Sequence, residues 1–169
     1  MIILLLAWIY LTIVSFSWGK LLISFPGFDQ KSLPGRADFL ILVCFGGLAM
    51  LAALSQFLSL FIPLGSWYAQ IIVIMPFLIY LKNKSMALAI SECYGKWKNV
   101  KFPVKILIVT TALLILAISS WVVSHPDSIG YHIQIIKWIH SYRIVPGLAN
   151  LNPRLGFQSA WFTLNSLFT

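Results

Sequence analysis

FLILVCFGGLAMLAALSQFLSLFIPLGSWYAQIIVIMPFLIYL, residues 39–81, is apolar from end to end. A helix crosses the hydrocarbon core of a bilayer in about 20 residues at ~1.5 Å per residue, so this stretch is roughly twice what one crossing takes. A helical hairpin solves the length. Its arms are Phe39 to Ile62 and Trp67 to Leu81, joined by the tight connection Pro63-Leu64-Gly65-Ser66. The second arm is short for a span and contains Pro76, so it is either tilted and kinked or extended backward through the connection.

Outward from the hairpin the pattern repeats. Ile2 to Trp18 reads as a first span, with Lys20 placed to snorkel and Trp8 and Trp18 as interface anchors. Pro26 to Asp38, PGFDQKSLPGRAD, holds two prolines and two glycines among mixed charges, which is turn chemistry. Lys82 to Lys105 carries six lysines and one glutamate. Within it Met86, Ile90, Tyr94 and Trp97 fall at helical spacing; an amphipathic helix on the inner leaflet and a flexible basic loop are the two readings. Ile106 to Val123 is the fourth span.

Composition supports the assignment. Hydrophobic residues make up 60% of the chain and charged residues 9%, with mean hydropathy +0.90. A soluble domain coats itself with roughly 25% charge, so this is an integral membrane protein. Its spans are helices, because a run such as Ile2 to Leu6 lacks the alternation of a barrel strand. The net charge of +8 is topological, and no basic stripe interleaved with stacking aromatics points to nucleic acid. Nine of the twelve basic residues fall in loops 19–38 and 82–105, three in 124–155 and none in 63–67. The positive-inside bias then puts the first two loops in the cytoplasm.

The N-terminus therefore faces outward. Its MIILLLAWIYL carries no basic residue before the apolar core and no cleavage site after it, so it is a retained span rather than a signal peptide. Cys44 in an apolar run and Cys93 in a basic loop show no metal-ligand or redox spacing and read as packing residues. There is no internal repeat and no low-complexity tract.

The remaining polar chemistry lies in SHPDSIGYHIQIIKWIHSYRIVPGLANLNPRLGFQSAW, residues 124–161, which holds Asp127 and all three histidines, His125, His132 and His140. Ile129 to Tyr142 is amphipathic, with Ile129, Ile133, Ile136 and His140 on one stripe and Ile135, Trp138, Ile139 and Tyr142 on its neighbour. It is expected to lie in the outer interface with Lys137 toward headgroups. Asp127 before this run reads as a helix N-cap and, without excluding that, as a carboxylate at the membrane surface, acting as a general base or holding a divalent metal ion shared with a phosphate-bearing lipid. His132 and His140, two turns apart, read as interfacial histidines, with His132 the better placed beside Asp127, and His125 marks the membrane boundary. Arg154 is either a plain cationic flank or a bidentate phosphate ligand. Gln158 and Ser159 line a cavity or contact another helix.

From Gly156 the sequence turns apolar again, GFQSAWFTLNSLFT, for too few residues to cross. Residues 156–169 are expected to start a fifth span of a larger multi-pass protein of which this chain is a fragment. The architecture predicted is an all-α polytopic transmembrane helix bundle. It comprises four spans over 1–123, an external loop with an interfacial helix over 124–155, and that incomplete fifth span.

Asp127-Ser-Ile-Gly-Tyr131-His132 with Lys137-Trp138, then Val145-Pro-Gly147-Leu148-Ala-Asn150-Leu, Arg154 and Phe157-Gln158-Ser159-Ala-Trp161-Phe162, resembles the start of a group of bacterial multi-pass proteins that look like GT-C glycosyltransferases. The likeness covers mainly 124–168. It implies an acidic residue at a span's end followed by an interfacial helix, positions matched by Asp127 and by Ile129 to Tyr142. It also implies a polyprenyl-phosphate-linked sugar donor. Asp127 would be the catalytic base with His132 beside it, and Arg154, Tyr131, Lys137 and Gln158 would bind substrate. The loop follows four spans here where the class has one, and the later spans that complete the cavities lie outside this sequence, so this fragment alone is expected to be inactive. The expected setting is a bacterial inner membrane, with lipids and a partner subunit or missing C-terminal spans as partners. An O-antigen polymerase- or ligase-like protein and a non-catalytic membrane scaffold or transporter fragment are the rival readings.

Overall fold

The computed structural model describes residues 2–25, 36–81, 91, 94–121, 126–156 and 159–169. Their regular structure is entirely helical: α1 (Ile2–Ile23), α2 (Arg36–Ser59), α3 (Trp67–Leu81), a short helical stretch at 94–99 and α4 (Phe102–Ser119). A π-helical turn (Ser128–His132) follows and leads into α5 (Ile133–Ser141), α6 (Leu148–Leu151), a 3₁₀ turn (Pro153–Gly156) and α7 (Ala160–Leu167). Three helical stretches, Ile2–Ile23, Phe39–Ser59 and Phe102–Ser119, are long and apolar enough to cross a membrane. α3 has 15 residues. At 1.5 Å per residue it covers about 22 Å, short of the ~30 Å core.

α1 and α2 pack antiparallel, because Gly47 lies against Ser15 while Gly19 lies against Val43. A Cβ on either glycine would run into the backbone carbonyl oxygen of the opposing residue. Small residues at this seam let two helix backbones touch, which is how helices associate where lipid supplies no hydrophobic driving force. Phe16, Ile23 and Val43 fill the space beside the seam, with Cys44 packed on them as the sequence led one to expect. Lys20 folds its ammonium 5.3 Å from the centre of the Phe39 ring. Cys93 and most of the loop at 26–38 lie outside the described residues.

α3 runs parallel to α1, with Trp18 against Val73 and Ser24 against Tyr80. Pro76 has no N–H to give the Ile72 carbonyl, and its ring loosens the next turn. The Val73 carbonyl accepts a hydrogen bond from Trp18 Nε1 at 2.9 Å. This overturns the reading of Trp18 as an interface anchor: the residue is 8% exposed and belongs to the main core with Val14, Leu51, Leu64 and Val73.

The chain after α4 closes over one end of this three-helix unit. Leu64 N donates to Ile139 O at 3.1 Å and Gly65 N to His140 O at 2.9 Å, while Ile144 N donates to Ser59 O at 2.8 Å. The α2–α3 connection and α5 therefore share one end of the bundle. α7 inserts beside them: Ser55 Oγ donates to Thr163 Oγ1 at 3.0 Å, Gln70 Nε2 to Leu167 O at 2.7 Å, and Ser166 Oγ to Ile136 O at 2.8 Å. Ile135 and Ile139 are buried with Phe162, Leu164 and Leu167, so the apolar stripe of α5 is met by protein. α4 stands apart, with Leu116 its one buried residue.

Candidate functional site

Asp127 does not cap a helix. Residues 126–127 are already helical, its own φ and ψ are −66° and −36°, and its side chain makes no cap hydrogen bond. The local rule fails because the helix begins before it. Immediately after it the winding widens, and Ile133 N reaches back to Ser128 O. A five-residue turn of this kind is rare and recurs at functional sites, since it re-aims the side chains around it.

The carboxylate meets Arg154, which the 3₁₀ turn brings back across α5: Arg154 Nη1 lies 3.8 Å from Asp127 Oδ1. Arg154 N also accepts the help of the local turn, donating to Asn152 Oδ1 at 3.0 Å. The guanidinium carbon is 5.7 Å from the centre of the Tyr131 ring. The Tyr131 ring centre is in turn 4.2 Å from that of His132, with the planes tilted by 37°, and the His132 ring meets Phe162 at 5.0 Å in a T-shaped contact. A carboxylate, a guanidinium, a phenol and an imidazole thus converge where the π turn, the 3₁₀ turn and α7 meet.

Exposure separates this cluster from a structural ion pair. The side chains of Arg154 and Asp127 are 67% and 48% exposed. At that exposure a long pair contributes at most about 1 kcal/mol. The guanidinium is held in place by a ring and a turn, yet its donors face solvent. Such an arrangement suits an anion with several oxygens, and the neighbouring carboxylate suits a proton acceptor.

Other expected site residues lie elsewhere. Lys137 is exposed, and at 100° per residue it falls on the side of α5 opposite the buried Ile135 and Ile139, away from His132. Gln158, His125 and the side chain of Ile129 lie outside the described residues. Ser159 stands at the N-cap of α7 with no side-chain cap hydrogen bond.

His140 is not an interfacial histidine. Its ring packs on Gly65, and Nδ1 lies 3.0 Å from Ser166 O. A carbonyl only accepts, so Nδ1 is the donor in this contact. His140 lines a cavity of about 360 Å³ together with Tyr10, Gln70, Leu167 and Phe168. Sequence reading missed this cavity because its walls come from α1, α3 and α7. A second cleft, about 160 Å³, lies between α5 and 143–156 and is lined by Trp138, Arg143, Leu148 and Leu155. It is below the ~300 Å³ at which small-molecule sites begin, and so takes one group rather than a whole substrate. Phe162 was also missed, since a phenylalanine in an apolar run carries no sign that it will meet a histidine. Among the described residues no three His, Cys, Asp or Glu side chains group to hold a metal ion.

The model of a protein family described as a domain of unknown function, DUF8201, matches residues 1–169. No curated protein and no solved structure matches the chain.

Proposed function

The chain belongs to the DUF8201 family, and from that premise we propose that it is the N-terminal part of a membrane glycosyltransferase-like protein of the GT-C type. It would use lipid-linked sugars at the outer face of a bacterial inner membrane. The observation that carries this reading is the meeting of Asp127 and Arg154, beside Tyr131 and His132, on an exposed end of a bundle of apolar helices. In this reading α3 is a tilted third span, α4 the fourth and α7 the beginning of a fifth. The hydrogen bonds between 63–66 and α5 support placing both on one side, and the basic loops then take the other.

The chemistry follows from the groups present. The acceptor hydroxyl attacks the anomeric carbon of the donor sugar and its proton passes to the Asp127 carboxylate. The bond from that carbon to the phosphate oxygen breaks, and the polyprenyl phosphate leaves as an anion held by Arg154 with His132 alongside. Tyr131 keeps the guanidinium at the right height, because a cation over a ring face gains about 0.5–1 kcal/mol at an exposed site.

Affinity for the leaving lipid tests the reading. The protein in nanodiscs is titrated with polyprenyl phosphate and with the free polyprenol. A hydrogen bond to a charged group contributes about 1.5–3 kcal/mol, so the phosphate should bind roughly tenfold to a hundredfold more tightly. Arg154→Gln should remove that difference, whereas Asp127→Asn should preserve or sharpen it by taking away a competing carboxylate. Equal binding of the two lipids, or an Arg154→Gln protein that still prefers the phosphate, overturns the reading.

A further inference from the structure

Residues 94–105, YGKWKNVKFPVK, contain four lysines, three aromatic residues (Tyr94, Trp97 and Phe102) and no acidic residue. They form the short helical stretch at 94–99 and the first turn of α4. The side chains are arranged. Lys98 Nζ lies 5.6 Å from the centre of the Tyr94 ring and Lys105 Nζ lies 5.9 Å from that of Trp97. Lys105 Nζ also donates to Lys98 O at 3.2 Å, which folds the first turn of α4 back on the 94–99 stretch. Two ammonium groups and two rings thereby share one surface, and the rings remain open on it, Tyr94 at 62% and Trp97 at 38% exposure.

We propose that this surface is a binding site for anionic phospholipid headgroups at the Phe102 end of α4, and that it fixes the position of that helix in the membrane. Three observations lead there. The patch is continuous with an apolar helix of spanning length, so its rings and ammonium groups fall at headgroup depth, where tryptophan, tyrosine and lysine accumulate. Its charge is unopposed along its own twelve positions, and clustered lysines beside a span attract acidic lipid. α4 buries only Leu116 against the rest of the described chain, so its depth and direction are set at its ends rather than by packing. The ring and carbonyl contacts orient the lysines and yield readily to phosphate oxygens, which make the stronger charge-assisted hydrogen bonds.

The signal of Trp97 reports on the site. It is obtained as the difference in fluorescence between the full chain and its Trp97→Phe variant, in phosphatidylcholine vesicles doped with a brominated lipid. Brominated phosphatidylglycerol should quench that signal at a mole fraction at least about tenfold lower than brominated phosphatidylcholine with the same chains. Each Lys→Gln change among Lys96, Lys98, Lys101 and Lys105 should weaken the preference roughly fivefold at most, and the fourfold variant should lose it. The corresponding fourfold Lys→Arg variant should keep it, which separates lost charge from lost folding. Equal quenching by the two lipids overturns the proposal, and so does a preference that survives the fourfold Lys→Gln change. A single-stranded RNA oligomer that shields Trp97 from either lipid at a lower concentration would assign the patch to nucleic acid instead.

Discussion

Replacing Trp18 by phenylalanine removes one N–H from the middle of the bundle. The consequence follows from Pro76. Without a proline, the amide of residue 76 would serve the Ile72 carbonyl and that of Phe77 the Val73 carbonyl; the pyrrolidine ring abolishes the first bond and weakens the second. Trp18 Nε1 takes over at Val73 O, 2.9 Å away, across a contact where Val73 is 0% exposed. Trp18→Phe leaves that carbonyl short of its donor in a water-free place, a loss of about 1–3 kcal/mol. The smaller ring also opens a void, which adds to the loss. Measured interhelical hydrogen bonds in membranes average only about 0.6 kcal/mol, so the void carries a share of the total. A double-mutant cycle separates the two. In a Pro76→Ala background the amides of α3 re-engage their own carbonyls, and the Trp18→Phe cost should fall by at least about 0.5 kcal/mol. Unfolding in mixed micelles by a denaturing detergent, followed by circular dichroism, supplies the four free energies. A Trp18→Phe protein within ~0.3 kcal/mol of wild type, or an unchanged cost in the Pro76→Ala background, refutes the reasoning.

Three further outcomes are expected from the same bundle. Gly47→Val should separate α1 from α2, because its Cβ has no room beside the Ser15 carbonyl; a loss of at least about 2 kcal/mol in the same unfolding assay checks it, by analogy with overpacked cores. Gly65→Ala places a methyl against the His140 ring and should destabilise by about 1–3 kcal/mol. Pairing it with His140→Ala should restore most of that loss, and additive effects would show that the ring is not the obstacle. Asp127→Asn should change stability by less than about 1 kcal/mol, since the ion pair with Arg154 is exposed and 3.8 Å long; a larger loss on thermal unfolding would mark Asp127 as a structural residue.

The division of the apolar stretch 39–81 into two helices at Pro63-Leu64-Gly65-Ser66 was legible from its length, but α3 packs on α1 rather than back along α2, and that choice depends on residues of another element. The meeting of Asp127 and Arg154 was half legible: both stood out as the polar residues of one loop, but the 3₁₀ turn that brings them together leaves no mark that sequence spacing can show. Trp18 was misread for a physical reason. A tryptophan near the end of an apolar run has the same sequence signature whether it faces headgroups or a neighbouring helix, and only the carbonyl loosened by Pro76, 58 positions later, decides between them. His140 was misread alike, because Ile133, Ile136 and His140 lie on one stripe of an amphipathic helix and the Gly65 backbone that covers it belongs to another element. The length of α3 was judged correctly as short, and Pro76 gave that away.

The proposed activity requires the Asp127 cluster to face the outer aqueous phase, on the same side as the 63–66 connection. Sidedness is measured by placing single cysteines at Ser66, Lys98 and Ser128 in a chain from which Cys44 and Cys93 have been removed, and labelling intact cells with a membrane-impermeant thiol reagent. Labelling at positions 66 and 128 with protection at 98 is the predicted result. Labelling at 98 with protection at 66 and 128 would put the cluster on the cytoplasmic side and contradict it.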